Sequence, residues 1–368
     1  MHDQVLIDAA PDEKRTPRKG LTFVAPILAV YLLSRLVMFG ALLDAYGGHW
    51  TATRFAGIWD GRYYLQIAAH GYPTALTHGM PLASFFPLYP LLVRAASPLF
   101  GGNWALTGIA VSFVTGAMAC LAVGALARER AGDETGVRAG WLMAVAPGAA
   151  FLSPAYAEGL AISLCAVTLL MLDRRRWLAA GVIGALATAT SPLALPIVVA
   201  AAWAAWRSRA PMAWRAPAIA SLGFVSYCLY LWAHMGTPFG WFDAEGAGRE
   251  GHHADLLAPL EWITKSSGIT LVEVVCLLIA AGGLWAMRRA RVPGTWWAFT
   301  LPFLASVVFD RGLWLTPRFL LSAFPLVPAA ALVVRGRHFR FLVASSAVVM
   351  VLALVAYTQL ATGFLYQP

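Results

Sequence analysis

Residues 343–365, VASSAVVMVLALVAYTQLATGFL, run for 23 positions without a charged side chain. A helix of about 20 such residues crosses the roughly 30 Å of bilayer hydrocarbon. Several more apolar runs precede it, and with 60% hydrophobic and 12% charged residues the chain has too little polar surface to cover a soluble globule of 368 residues. Backbone polar groups in lipid must be satisfied within the chain, and the runs lack the short alternation of a barrel strand. The expected class is therefore an all-α, polytopic membrane protein.

The net charge of +9 is patterned rather than spread. Nineteen of the 27 Lys and Arg residues fall in six short clusters between apolar runs: Lys14–Lys19, Arg128–Arg138, Arg174–Arg176, Arg207–Arg215, Arg288–Arg291 and Arg335–Arg340. That is how cytoplasmic turns look under the positive-inside rule, with attraction to anionic lipid and no need of nucleic acid. Residues 1–20 read as a cytoplasmic tail rather than a cleaved leader. Taking the clusters as inside markers gives about eleven crossings, near 21–43, 104–127, 138–152, 156–172, 177–190, 192–206, 214–234, 268–287, 294–309, 319–334 and 341–362. The N-terminus is expected inside a bacterial plasma membrane and the C-terminus outside. Residues 21–368 form one transmembrane domain. Segments 44–103 and 235–267 face outward, the first carrying a proline-rich interfacial or re-entrant piece. Cys120, Cys165, Cys228 and Cys276 lie inside apolar runs and read as small hydrophobes.

Chemistry, on this topology, belongs to the outer face. Asp60 follows Trp59 and is followed by Arg62, Tyr63, Tyr64, His70 and Tyr72. Aromatic rings around a carboxylate suit a sugar site, and equally a membrane interface. Such a carboxylate can act as a general base towards a hydroxyl. Arg35 lies in the first apolar run and is expected to snorkel outward or to meet a lipid phosphate or Asp44. Arg318, at the start of a later helix, is suited to a bidentate phosphate contact, with Asp310 and Arg311 in the turn before it. Glu158 opens a helix, where the helix dipole favours an acid. His252, His253 and Asp255 match no metal-site spacing, so no metal is expected. No phosphate-binding glycine loop or hydrolase elbow occurs, and no cofactor is implied.

Five stretches occur in the order known from one family: SRLV (34–37), WDGRYYLQIAAHGY (59–72), FFPLYPLL (85–92), APGAAFLSPAYAEGLAISL (146–164) and TPRFLLSAFPLVPAA (316–330). In them the chain resembles the class V mannosyltransferases of glycosylphosphatidylinositol-anchor synthesis and their bacterial homologues, within the GT-C glycosyltransferases. It departs from the family in having Ala146-Pro147 for an asparagine-proline pair and Ala157 for a serine. The resemblance implies a GT-C-like fold and inverting transfer of mannose from a polyprenyl-phosphate donor to a hydroxyl of a glycan, lipid or protein acceptor. It implies Asp60 as base, Arg318 or Arg35 at the donor phosphate, and Trp59, Arg62, Tyr63, Tyr64, His70, Tyr72 and Glu158 around the substrates. A transporter or flippase for a lipid-linked sugar is the alternative, and a non-enzymatic partner of a membrane assembly the third reading.

Overall fold

The computed structural model describes residues 18–46, 51–75, 81–247, 271–309 and 316–365, with helices and no strand among them. The helices are α1 (Arg18–Tyr46), α2 (Ala52–Ala56), α3 (Gly61–His70), α4 (Leu88–Ala96), α5 (Trp104–Val145), α6 (Glu158–Asp173), α7 (Trp177–Thr188) and α8 (Pro196–Ser208). They continue as α9 (Arg215–Ala220), α10 (Leu222–Met235), α11 (Gly240–Ala247), α12 (Leu271–Ala290), α13 (Gly294–Phe309), α14 (Pro317–Ser322), α15 (Leu326–Val333) and α16 (Gly336–Leu365). Helices α1, α5 and α16, and the stretch 211–235, are long and apolar enough to cross a membrane.

Helix α5 is really a hairpin. Ala131 and Gly132 leave helical geometry, Gly132 at φ +80°. The two arms then return side by side, because a Cβ added at Gly124 would lie 2.9 Å from the Gly136 carbonyl oxygen. Arg128 closes the bend on Asp133 at 2.6 Å. The polar cluster expected between two crossings is thus the tip of this hairpin. Around it pack α1, α6 and α15, while α13 lies along α8 and α12 along α15.

Three expected helices are interrupted. The one expected over 138–152 stops at Val145, since Ala146 is extended and Pro147 cannot continue the hydrogen-bond ladder; Pro147–Leu152 form a 3-10 turn. The helix expected over 319–334 divides into α14 and α15, between which Ala323 sits at ψ +41° ahead of Pro325. Residues 214–234 divide into α9 and α10 at Ser221, whose backbone remains helical. The segment 44–103, expected not to cross, holds the short helices α2, α3 and α4.

The basic turns gather at one end of the bundle. Arg174 pairs with Glu129 at 2.6 Å, Arg130 donates to the Arg291 carbonyl at 3.4 Å, and Arg138 donates to the Val334 carbonyl at 3.2 Å. The start of α1 is at that end too, with the Arg128 guanidinium over the Phe23 ring. Helices α2, α3 and α4 lie past the other end of the α5 hairpin, close to Trp104.

Arg35 overturns its expectation. It is 1% exposed, in the core of the bundle. Its Nη1 donates to the Ala149 carbonyl and, at 3.0 Å, to Ser153 Oγ; its Nη2 donates to the Ala144 carbonyl at 2.8 Å; its Nε donates to Ser34 Oγ at 3.2 Å. The cause is the broken helix. Where α5 stops, its last carbonyls lose their intrahelical donors, and an unsatisfied carbonyl in a dry bundle is costly. One planar guanidinium reaches several at once, which a lysine ammonium, a single point charge, does less well. Arg35 therefore fixes the 147–152 turn instead of snorkelling outward or pairing with Asp44, which is exposed. Replacing it leaves these acceptors unpaired. Arg35→Met is expected to lose about 3 kcal/mol of stability, as for a buried charged hydrogen-bond network. Arg35→Lys should recover only part of it, read by unfolding in mixed micelles.

Candidate active site

The segment between α2 and α3 is held in a conformation that only a few sequences allow. Trp59 has φ +47°, left-handed for a bulky residue, which costs about 1–2 kcal/mol and persists only where the surroundings impose it. Tyr156 imposes it from across the bundle. Its hydroxyl donates to the Ile58 carbonyl at 3.0 Å and accepts from the Asp60 N–H at 3.1 Å, bracketing Trp59. Gly61 completes the turn, because a Cβ there would lie 2.0 Å from the Ala56 carbonyl oxygen. Gly61 is thus a steric requirement of this bend, while Trp59 is held there against its own preference.

Tyr156 is itself fixed by a buried polar chain. Its N–H donates to Ser112 Oγ at 3.1 Å, and Ser112 meets Tyr89 Oη at 2.7 Å. Tyr89 in turn donates to the Gly108 carbonyl at 3.0 Å.

Arg318 arrives from α14 and lies between two acids. Its Nη1 donates to Asp60 Oδ2 and its Nε to Glu158 Oε1. The guanidinium carbon is 4.7 Å from the centre of the Tyr156 ring, 5.6 Å from that of Phe319 and 6.0 Å from that of Phe151, a cation–π cradle. The approach depends on Gly148, where a Cβ would lie 2.0 Å from the Pro317 carbonyl oxygen. The turn that Arg35 holds thus receives the N-terminus of α14.

The three charges are unequally buried. The Asp60 side chain is 31% exposed, that of Arg318 19% and that of Glu158 7%. Glu158 Oε2 is buried without a hydrogen-bond partner among the described residues. Glu158 lines a solvent-open cavity. Arg318, Tyr64, Ser191 and Ser322 give the cavity polar groups, and Ile162, Phe299 and Phe324 an apolar wall. Burial, followed by the charge of Glu158, raises the Tyr64 phenol well above its ordinary range, so its hydroxyl stays neutral.

Of the residues singled out from sequence, Asp60, Glu158, Arg318 and Tyr64 come together, with Trp59 at their edge and 40% exposed. Arg62 is turned outward, bonded to Tyr63 Oη at 2.8 Å, and Tyr63 packs on Phe85. His70 ends α3, the other end of that helix from Asp60. Tyr72 belongs to a second aromatic group with Tyr227 and Tyr230, and donates to the Phe85 carbonyl at 2.6 Å. None of these four lines the cavity. Asp310, Arg311, His252, His253 and Asp255 lie outside the described residues. Sequence reasoning assigned no role to Tyr156, Ser112 or Gly148, although Gly148 and Tyr156 lie in the 146–164 stretch that carries the resemblance.

No three His, Cys, Asp or Glu side chains converge to hold a metal ion among the described residues. The guanidinium of Arg318 already occupies the place between the two carboxylates, so the donor set does not fit a cation there.

Comparison with family models and with curated sequences gives no match. Comparison with solved structures does. The oligosaccharyltransferase of Archaeoglobus fulgidus in its apo form superposes with a TM-score of 0.57 at 15% identity, over 93% of this chain and 56% of that one. The same enzyme with zinc and sulfate gives 0.51 at 15% identity, over 89% and 53%. Tethered to an acceptor peptide with the NVT sequon it gives 0.50 at 15% identity, over 91% and 55%. The chain thus has the GT-C-type helical membrane fold and spans a little over half the length of these neighbours.

The bend makes a prediction independent of function. Gly61→Ala should destabilise the fold by about 1–3 kcal/mol through overpacking on Ala56. Gly40→Ala, where a Cβ meets nothing within 4 Å, should be neutral or slightly stabilising. Thermal unfolding of both variants beside wild type reads the difference.

Proposed function

We propose that the protein is an inverting glycosyltransferase that moves a single sugar, mannose, from a polyprenyl-phosphate donor to an acceptor hydroxyl at the outer face of a bacterial plasma membrane. One observation carries the reading: Asp60 and Glu158, from distant parts of the chain, both meet Arg318, and Arg318 and Glu158 line one cavity with polar and apolar walls. The GT-C-type fold agrees with it, as do the oligosaccharyltransferase neighbours, one of them tethered to an acceptor peptide. The gathering of basic turns at the end of the bundle near Arg128, with the start of α1, supports a cytoplasmic N-terminus.

In the reaction the acceptor oxygen attacks the anomeric carbon from the face opposite the phosphate. The new carbon–oxygen bond forms as the anomeric carbon–phosphate oxygen bond breaks, and the acceptor's proton passes to the Asp60 carboxylate. Polyprenyl phosphate leaves with the bonding electron pair, and Arg318 stabilises the charge that develops on it. Glu158 holds Arg318 through Oε1 and offers Oε2 to a hydroxyl of the sugar. Trp59 and Tyr64 supply ring faces beside it, while Arg62, Tyr63, His70 and Tyr72 shape the surround. The apolar wall receives the prenyl chain.

The test is transfer of label from radiolabelled polyprenyl-phosphate mannose by the purified full chain in membrane lipid extract. Wild type should give a labelled product, whose identity names the acceptor. Asp60→Asn should be slower by at least about 100-fold, the smaller end of what a general base contributes. An Asp60→Asn protein as active as wild type would remove Asp60 from the chemistry.

A further inference from the structure

The ion triad holds a contradiction for a transferase. The group meant to act as base is bound by the group meant to receive the phosphate. A guanidinium offers a phosphate two straight edges for paired donation, Nε with Nη2 and Nη1 with Nη2. Glu158 has taken Nε and Asp60 has taken Nη1. Nη2 alone donates to no partner among the described residues, so a phosphate gripped along the Nε–Nη2 edge competes with Glu158 and one gripped along the Nη1–Nη2 edge competes with Asp60.

The two carboxylates are not equally displaceable. Glu158 is 7% exposed and its second oxygen has no hydrogen-bond partner among the described residues. Losing Arg318 would strand a buried charge, which is severely unfavourable. Asp60 is 31% exposed and can be taken over by water or by an acceptor hydroxyl. The rings of Tyr156, Phe319 and Phe151 hold the guanidinium in place, so it can pivot without leaving the site.

We propose that Arg318 is a clasp worked by the donor's phosphate: in the empty site it holds the Asp60 carboxylate, and an anionic phosphate draws it off, so that the base becomes free only once the donor is bound. The proposal rests on the reading of Asp60 as the base. Its consequence is an order, in which donor binding precedes activation of the acceptor and the empty enzyme is not poised to deprotonate a hydroxyl. Coupling of this kind is reciprocal. If phosphate and Asp60 compete for Arg318, removing the charge of Asp60 must tighten phosphate binding. If Asp60 merely props Arg318 in position, the same change must weaken it.

The experiment measures the Kd of geranylgeranyl phosphate for the full chain in nanodiscs of zwitterionic lipid. Asp60→Asn is expected to bind it about tenfold more tightly than wild type, within the usual range of coupling between two sites. In an Arg318→Gln background the same substitution should change the Kd by less than about threefold, because the competition has no cation to act through. Geranylgeraniol, which lacks the phosphate, should show no dependence on Asp60. Equal or weaker binding by Asp60→Asn overturns the clasp, as does the same gain in the Arg318→Gln background or with the alcohol. Should Asp60→Asn not purify as a monodisperse protein, Asp60→Ser replaces it with the same expectation. The transfer assay run alongside separates the two ideas. Lost transfer with unchanged phosphate binding removes the clasp and keeps the base, whereas tightened binding with no transfer by wild type keeps an anion clasp and removes the transferase.

Discussion

Everything at the charged end of the molecule depends on Arg318 being shared by Asp60 and Glu158. The shared guanidinium ties the first polar segment, the start of α6 and the start of α14 into one unit. None of the three is near another in sequence. A carboxylate as buried as Glu158 is tolerable only with such a partner, and the partner is placed by close backbone approach rather than by a long flexible reach. Gly148 lets Pro317 lie against the 147–152 turn, and Tyr156 lies under the guanidinium while holding the bend that presents Asp60.

A second arginine works one layer further into the bundle by different physics. Arg35 has carbonyl oxygens, hydroxyls and a methionine sulfur for partners, with no acid among its bonds. It compensates the break at the end of α5, where Pro147 forces the chain out of helix. Irregular backbone at such depth is stable only when protein groups replace the lost intrahelical bonds. The break is what turns the chain back towards Tyr156 and Glu158, so the inner arginine builds the platform on which the outer one acts.

The second aromatic group has a separate task. Tyr72 and Tyr227 donate to the Phe85 and Ala83 carbonyls, and Ser84 donates to the Trp241 carbonyl. These bonds join the segment after α3 to α10 and α11. Arg94 likewise donates to the Ala68 carbonyl at 2.7 Å, satisfying the end of α3. The tyrosines that sequence alone would group with Asp60 are therefore divided by the fold between the charged centre and the packing of the layer around it.

The sequence by itself determined the class of the protein, since long uncharged apolar runs punctuated by arginines leave a helical membrane bundle as the physical solution. It also placed a turn between two crossings in the basic cluster Arg128–Arg138, because periodicity and charge clusters are local signals. Helix breaks at Pro147 and Pro325 were hidden by their apolar surroundings, where composition gives no boundary. The pairing of Arg318 with Asp60 and Glu158, the burial of Arg35 and the bracing role of Tyr156 were decided only in the tertiary structure. A buried charge or hydroxyl is defined by its partner, and here the partners are 96 to 258 positions apart, a separation at which no pattern in the sequence records who will meet whom.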